Sequence, residues 1–358
     1  VYDDLTEAVG QVVERVSTPW TREDARTLAA LSAAGLVFVA ALLLATTPPD
    51  ALTALDPKAV TRYNVIAGAI GIVAALLVTA TSAVMTQKHP QASGIALAHT
   101  VPFLTAAAAL RLSQSHWDTA GWGWTGLGLL IGSLAVLALP KRSRISIAAP
   151  LVVGTVLAAT GLLVRLGQLS QAGISAILFA LVIVLLQVAP WIALAHIPVR
   201  ILDADTTEQI PAKGITDQIS TSFMFVVALR AGGAIAALFL AVALMTAPET
   251  RSVSLPLTLI VLGAVSLVLQ TRSIRARVEV LLGALTGLIV ILVAAVLGAY
   301  ADPRTMPWLT LSAIATALVL VITNVVGPRA RPHLTRIADT ISVLSLFVLL
   351  PLAVYLWS

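Results

Sequence analysis

The chain has 358 residues, of which 58% are hydrophobic and 11% charged, with a formal charge of +5 and no cysteine. Soluble domains carry roughly 25% charged residues, so at a mean hydropathy of +0.97 this chain cannot clothe a water-facing globule of its size. A cytosolic enzyme, a disulfide-stapled secreted scaffold and a disordered chain are excluded, and an all-α polytopic integral membrane protein is implied.

Residues 1–26 read as a cytoplasmic amphipathic helix and linker. Leu5, Val9, Val12, Val13 and Val16 form a helical stripe, with Asp3, Asp4, Glu7 and Glu14 largely off it. Ser17-Thr18-Pro19 breaks that helix, and Thr21 with Asp24 resembles a capping box for the first span. The chain opens at Val1 without an initiator Met, from which a preceding cytoplasmic portion is inferred. The rest, 27–358, reads as one membrane domain of about eleven helices. A hydrocarbon core of about 30 Å needs roughly 20 helical residues. Apolar runs of about that length fall at 27–46, 64–85, 93–110, 122–139, 147–164, 174–195, 222–246, 253–269, 280–300, 307–326 and 338–357. They lack the strict alternation of a β-barrel. The longest loop between them, 196–221, carries Asp203, Asp205, Glu208 and Lys213 and is the other candidate partner-binding element beside 1–26.

The basic residues record topology. With the N-terminus cytoplasmic, fifteen fall in inner segments, including Lys141, Arg142, Arg144, Arg272, Arg275 and Arg277, and six in outer ones, among them Arg111, Arg165 and Arg304. That bias places the N-terminus inside and the C-terminus outside, in the periplasm. Trp117, Trp122, Trp308 and Trp357 fall near outer ends and Trp20 and Trp191 near inner ones, as interfacial belts do. No segment concentrates enough basic residues for nucleic acid.

Chemistry is sparse. None of the seventeen acids lies in the middle third of a span, which argues against an ion-coupled carrier. Paired-His metal spacing, a phosphate-cradling glycine loop and a Gly-x-Ser-x-Gly elbow are missing, so no enzyme activity and no cofactor is expected. Arg230, within the seventh run, costs about 2.5–3.5 kcal/mol at a helix centre on insertion scales. It is read as snorkelling or hydrogen-bonded within the protein, with a lipid-headgroup or subunit contact as the alternative. His99, just before Pro102, reads as a structural histidine at a kink, with the same contacts as the alternative. Gln187, before Pro190, is expected to offer its amide to backbone freed at a kink. Gly128 with Gly132, Gly283 with Gly287, and Gly232 and Gly233 with Ala236 and Ala237 are small-xxx-small pairs for helix packing, within the chain or between copies.

An acidic amphipathic start, a Pro19-Trp20 linker, eleven runs with the N-terminus inside and one long inner loop after the sixth together resemble EccD, the polytopic subunit of actinobacterial type VII (ESX) secretion machines. The resemblance covers the whole chain as an architecture. It implies a structural inner-membrane subunit that pairs with a second EccD copy around a lipid-filled vestibule. The implied partners are EccB, the ATPase EccC, EccE and membrane lipids, and a ubiquitin-like domain would precede the first span. EccD carries no catalytic residues to transfer. The rival readings are a small-molecule carrier or permease and a membrane acyl- or glycosyltransferase using His99.

The topology is directly testable because the chain has no native cysteine. In intact cells an impermeant thiol reagent is expected to label Arg304→Cys and to spare Arg142→Cys until the membrane is opened; the reverse pattern would invert the assignment.

Overall fold

The computed structural model describes residues 22–46, 57–88, 92–114, 119–138, 147–167, 169–196, 212–248, 252–270, 277–307, 310, 311, 314 and 331–357. Its helices in chain order are α1 (Arg22–Thr46), α2 (Pro57–Lys88), α3 (Ala92–Ala98), α4 (Val101–Leu112), α5 (Thr119–Leu137) and α6 (Ala148–Gly167), followed by α7 (Gln171–His196), α8 (Ala212–Met245), α9 (Ser254–Gln270), α10 (Arg277–Ala301) and α11 (Arg331–Trp357). No strand occurs among the described residues. The class is all-α and polytopic: among the described residues nine segments are long and apolar enough to cross a membrane, and α9, with 17 residues, is a shorter apolar helix.

Ten of the eleven apolar runs in the sequence coincide with these helices. The remaining run, 307–326, lies almost wholly outside the described residues, as do 1–21 and the acidic part of the inner loop with Asp203, Asp205 and Glu208. The stretch read as a loop over 196–221 is helical from Ala212 onward. Ile215, Ile219 and Phe223 recur every four residues there, so the stripe of the seventh run continues N-terminally past its uniformly apolar part. Lys213 therefore stands in the first turn of a 34-residue helix, α8, that begins well ahead of its membrane-crossing segment Phe223–Met245.

The run over 93–110 is two helices. The chain turns at His99 and Thr100, where the Thr100 amide bonds the Leu97 carbonyl at 3.1 Å, and α4 restarts with Pro102 in its first turn. Proline lacks an N–H and is tolerated at that position. The Thr100 hydroxyl also donates to Leu97 O, at 2.8 Å, so the freed carbonyl is satisfied inside the protein.

Packing divides the chain into a group of α1–α6 and a group of α7–α11, joined where α6 lies against α8 and α7. Phe179, Ile183, Leu240, Leu259, Ile260 and Leu349 centre the second group's core; Val101, Leu104 and Val136 centre the first; Leu129, Val153 and Leu157 bridge the two with Phe239 of α8. Outward faces are greasy instead of polar: Leu36 is 71% exposed, Leu76 65%, Leu292 62% and Phe347 74%. In water such a surface would aggregate, whereas acyl chains solvate it without cost.

Lipid is as apolar as leucine, so helices in a membrane are not driven together by hydrophobicity and must gain by close contact. The broadest interface, α5 on α6, shows how. A Cβ at Gly123 would lie 3.1 Å from the Gly161 Cα, and one at Gly126 would strike the Ala158 backbone. From the other side, a Cβ on Gly154 would stand 2.9 Å from the Leu129 Cβ. At Gly123 and Gly126 the two backbones approach directly, because a glycine leaves no side chain between them there.

Gly126→Ala is accordingly expected to destabilise the purified protein by about 1–3 kcal/mol, the usual cost of overpacking, read as a lowered Tm in detergent. Gly35→Ala, whose added Cβ meets nothing within 4 Å, is the control and should leave Tm unchanged or slightly raised.

Candidate functional site

Among the described residues each of two buried arginines marks a polar site between helices. The first surrounds Arg230, which is 6% exposed and faces the junction of α7, α8, α9 and α10. It lines a cavity of about 20 Å³ together with Gln270, Thr286, Gly283, Leu186 and Leu282. Arg230 therefore points into the protein and not along a lipid-facing surface. The space suffices for about one water, which needs polar partners of the kind Arg230, Gln270 and Thr286 supply.

Beside this cavity α7 and α9 are clasped by three polar side chains. Gln187 Nε2 donates to the Ser266 hydroxyl, and Gln270 Nε2 donates to the Gln187 carbonyl at 3.0 Å. The sequence suggests that the Gln187 amide serves the backbone near Pro190. Instead Gln187 reaches across to Ser266 of α9, and Gln270 of that same helix donates back to the Gln187 carbonyl. At the other end of the same helix Gln171 Nε2 donates to the Ala243 carbonyl of α8 at 3.1 Å.

The second place is hidden in the sequence. Arg111 reads there as a loop charge, yet it belongs to the last turn of α4 and is 6% exposed. Its Nε donates to the Leu44 carbonyl near the end of α1, and Nη1 lies 3.4 Å from Asn64 Oδ1 of α2. One guanidinium thus ties three helices. The signal that could have found it is that Arg111 continues the face of Leu104 and Ala107 without a break, and that Asn64 interrupts the apolar run after Tyr63.

The other singled-out residues fall into packing positions. His99 is partly buried, its Nδ1 2.6 Å from the Ile95 carbonyl, far along the chain from Arg230 and on the other helical group. A Cβ on Gly128 would meet the Thr105 carbonyl and one on Gly132 would stand 2.6 Å from the Pro102 Cα, both on α4. A Cβ on Gly232 would stand 2.6 Å from the Ala149 carbonyl oxygen of α6, one on Gly233 would meet Leu186 of α7, and one on Gly287 would lie 2.9 Å from the Ala264 carbonyl oxygen of α9. Among the described residues no group of three or more His, Asp or Glu is arranged to hold a metal ion.

Two apolar clefts flank α4. One, of about 280 Å³, is bounded by α1, α4, α5, α6 and α8; the other, of about 310 Å³, by α2, α4 and α5.

These features define a multi-pass α-helical membrane protein whose intramembrane polar groups join helices. The profile of the EccD-like transmembrane domain matches residues 25–358. The chain belongs to the EccD family. Its fold is similar to protomer 1 of the ESX-3 core complex, with a TM-score of 0.71 at 18% identity over 100% of this chain and 81% of that one. It is also similar to a chain of the MycP5-free ESX-5 inner membrane complex in State II, with a TM-score of 0.63 at 16% identity over 88% and 76%. No curated protein sequence gives a significant match.

Hydrogen bonds to a charged group contribute about 1.5–3 kcal/mol. Arg111→Met is therefore expected to lower stability by about that amount and to loosen α1, seen as faster proteolysis after residue 46 and a lowered Tm. Arg165→Met, at an exposed position of α6, should change neither.

Proposed function

We propose that this chain is a structural inner-membrane subunit of a type VII (ESX) protein secretion complex. The observation that carries the reading is a fold that follows an ESX-3 core-complex protomer over the whole chain, in a protein of the EccD family. The work of such a subunit is architectural. Two copies pair and frame a lipid-filled vestibule, with greasy surfaces such as those at Leu292 and Phe347 suited to lipid on both sides of a wall. EccB and EccE complete the assembly, and EccC supplies the ATPase.

The N-terminus and the even-numbered connections face the cytoplasm of an actinobacterial cell, following the basic residues. The segments that reach the ATPase are 1–26 and the inner connection with Asp203, Asp205, Glu208 and Lys213. The helical start of α8 supports this assignment, because a helix carries Lys213 away from the membrane on a stiff arm where a coil would fold back.

Extraction of the full chain from its native membrane in mild detergent tests the reading by mass analysis of what accompanies it. The expected result is a large particle containing a second copy and an ATPase subunit; a lone monomer would overturn the proposal. Deleting 203–217 should release the ATPase while leaving the chain in the membrane. An intact complex after that deletion would refute the docking assignment alone.

A further inference from the structure

The lining of the small cavity at the junction of α7, α8, α9 and α10 dictates the chemistry of what it can hold. Its polar members are Arg230 of α8, Gln270 of α9 and Thr286 of α10, and each has a definite hydrogen-bonding sense. A guanidinium only donates. The Thr286 hydroxyl gives its proton to the Leu282 carbonyl one turn back, so what its oxygen has left to offer is lone pairs. Gln270 Nε2 donates to the Gln187 carbonyl at 3.0 Å. A carbonyl can only accept, so this bond fixes which branch of the carboxamide is nitrogen and leaves the oxygen on the branch away from Gln187.

One donor that cannot accept therefore shares the site with two oxygens. A halide, carboxylate or phosphate accepts only, and would be matched by Arg230 but opposed by both oxygens. A metal or ammonium ion would suit the oxygens and be repelled by the guanidinium. Water both accepts and donates, and with two protons it can serve Thr286 and Gln270 while its oxygen takes an N–H of Arg230. Size agrees with sense. A water needs roughly 10–15 Å³ of such space and makes about three hydrogen bonds, and the cavity measures about 20 Å³.

We propose that this cavity is a binding site for one structural water, which accepts from Arg230 and donates to Thr286 and Gln270, and which ties α8 and α10 to the polar clasp of α7 and α9. A continuous chain of hydrogen bonds then runs from Ser266 through Gln187 and Gln270 to the water, and from it to Arg230 and Thr286. Ordered water is one of the means by which membrane helices satisfy polar groups out of reach of bulk solvent. Here it lets a permanent cation face the protein interior and puts four helices in one register. The site lies within a single chain and rests on no part of the secretion reading.

Radiolytic footprinting of the full chain in detergent tests this, because X-rays split bound water into hydroxyl radicals that oxidise the side chains touching it. Leu186 and Leu267 line the cavity and are 5% and 4% exposed, so radicals formed in bulk solvent do not reach them. Peptide mass analysis should find both oxidised, whereas Phe179, 0% exposed in the same core, stays unmodified although its ring is the more reactive target. Ala234→Leu, which brings bulk to the cavity wall, and Thr286→Val, which keeps the shape but removes an acceptor, should each lower oxidation of the two leucines at least threefold. Met306, 55% exposed beyond α10, should be oxidised in both variants as in the parent, which reports that they are folded. Absence of oxidation at both leucines in the parent chain would overturn the proposal, and a Tm that then fell on replacing chloride by gluconate would identify a halide as the occupant. Oxidation of both leucines that persists undiminished in the two variants would overturn it equally, since the radicals would then come from elsewhere.

Discussion

Helices in hydrocarbon cannot be held together by escaping water, and this protein is organised around that constraint. Dispersion over a close contact must supply the cohesion, and dispersion falls off within an ångström of ideal spacing. The interface of α5 and α6 meets the requirement most fully, with Gly123 against Gly161, Gly126 against Ala158 and Gly154 against Leu129 letting the helices approach closely. From that pair the packing spreads outward: α4 fits onto α5 through Gly128 and Gly132, and α8 fits onto α6 and α7 through Gly232 and Gly233. The least buried helices, α1, α2, α10 and α11, sit at the rim of this arrangement among the described residues.

Polar groups do a different job. A hydrogen bond between membrane helices contributes little, averaging about 0.6 kcal/mol, but it is directional where dispersion is not. Gln187, Ser266 and Gln270 fix the register of α7 against α9, and Arg111 fixes three helices of the first group at one end. Arg230 belongs to the same logic, since its burial between four helices makes it a registering group for the second group's core. A chain built this way has a frame of closely packed helices with apolar clefts beside α4.

How far the site was legible in the sequence differs residue by residue. Arg230 stood out because a charge inside an apolar run has few explanations. Arg111 did not, because a basic residue at the end of a run is the ordinary mark of an interface, and only its neighbours α1 and α2 show that it is buried. The glycine pairs were visible as patterns, but spacing alone does not say which helix they meet, or whether that helix belongs to the same copy. Gly123, Gly126 and Gly154 drew no notice, since α5 and α6 are small-residue-rich throughout and the contact needs both partners in view.

The sequence by itself determined the membrane class, the ten apolar runs that helices occupy, and the family resemblance, because hydropathy, span length and backbone satisfaction in lipid are properties of each segment alone. The tertiary structure decided what depends on pairs of segments: that the inner connection is helical from Ala212, that Arg111 lies inside, that Gln187 reaches α9, and that two apolar clefts flank α4. Uniformly apolar helices carry almost no facial signal, so the identity of each neighbour is settled only by which surfaces fit.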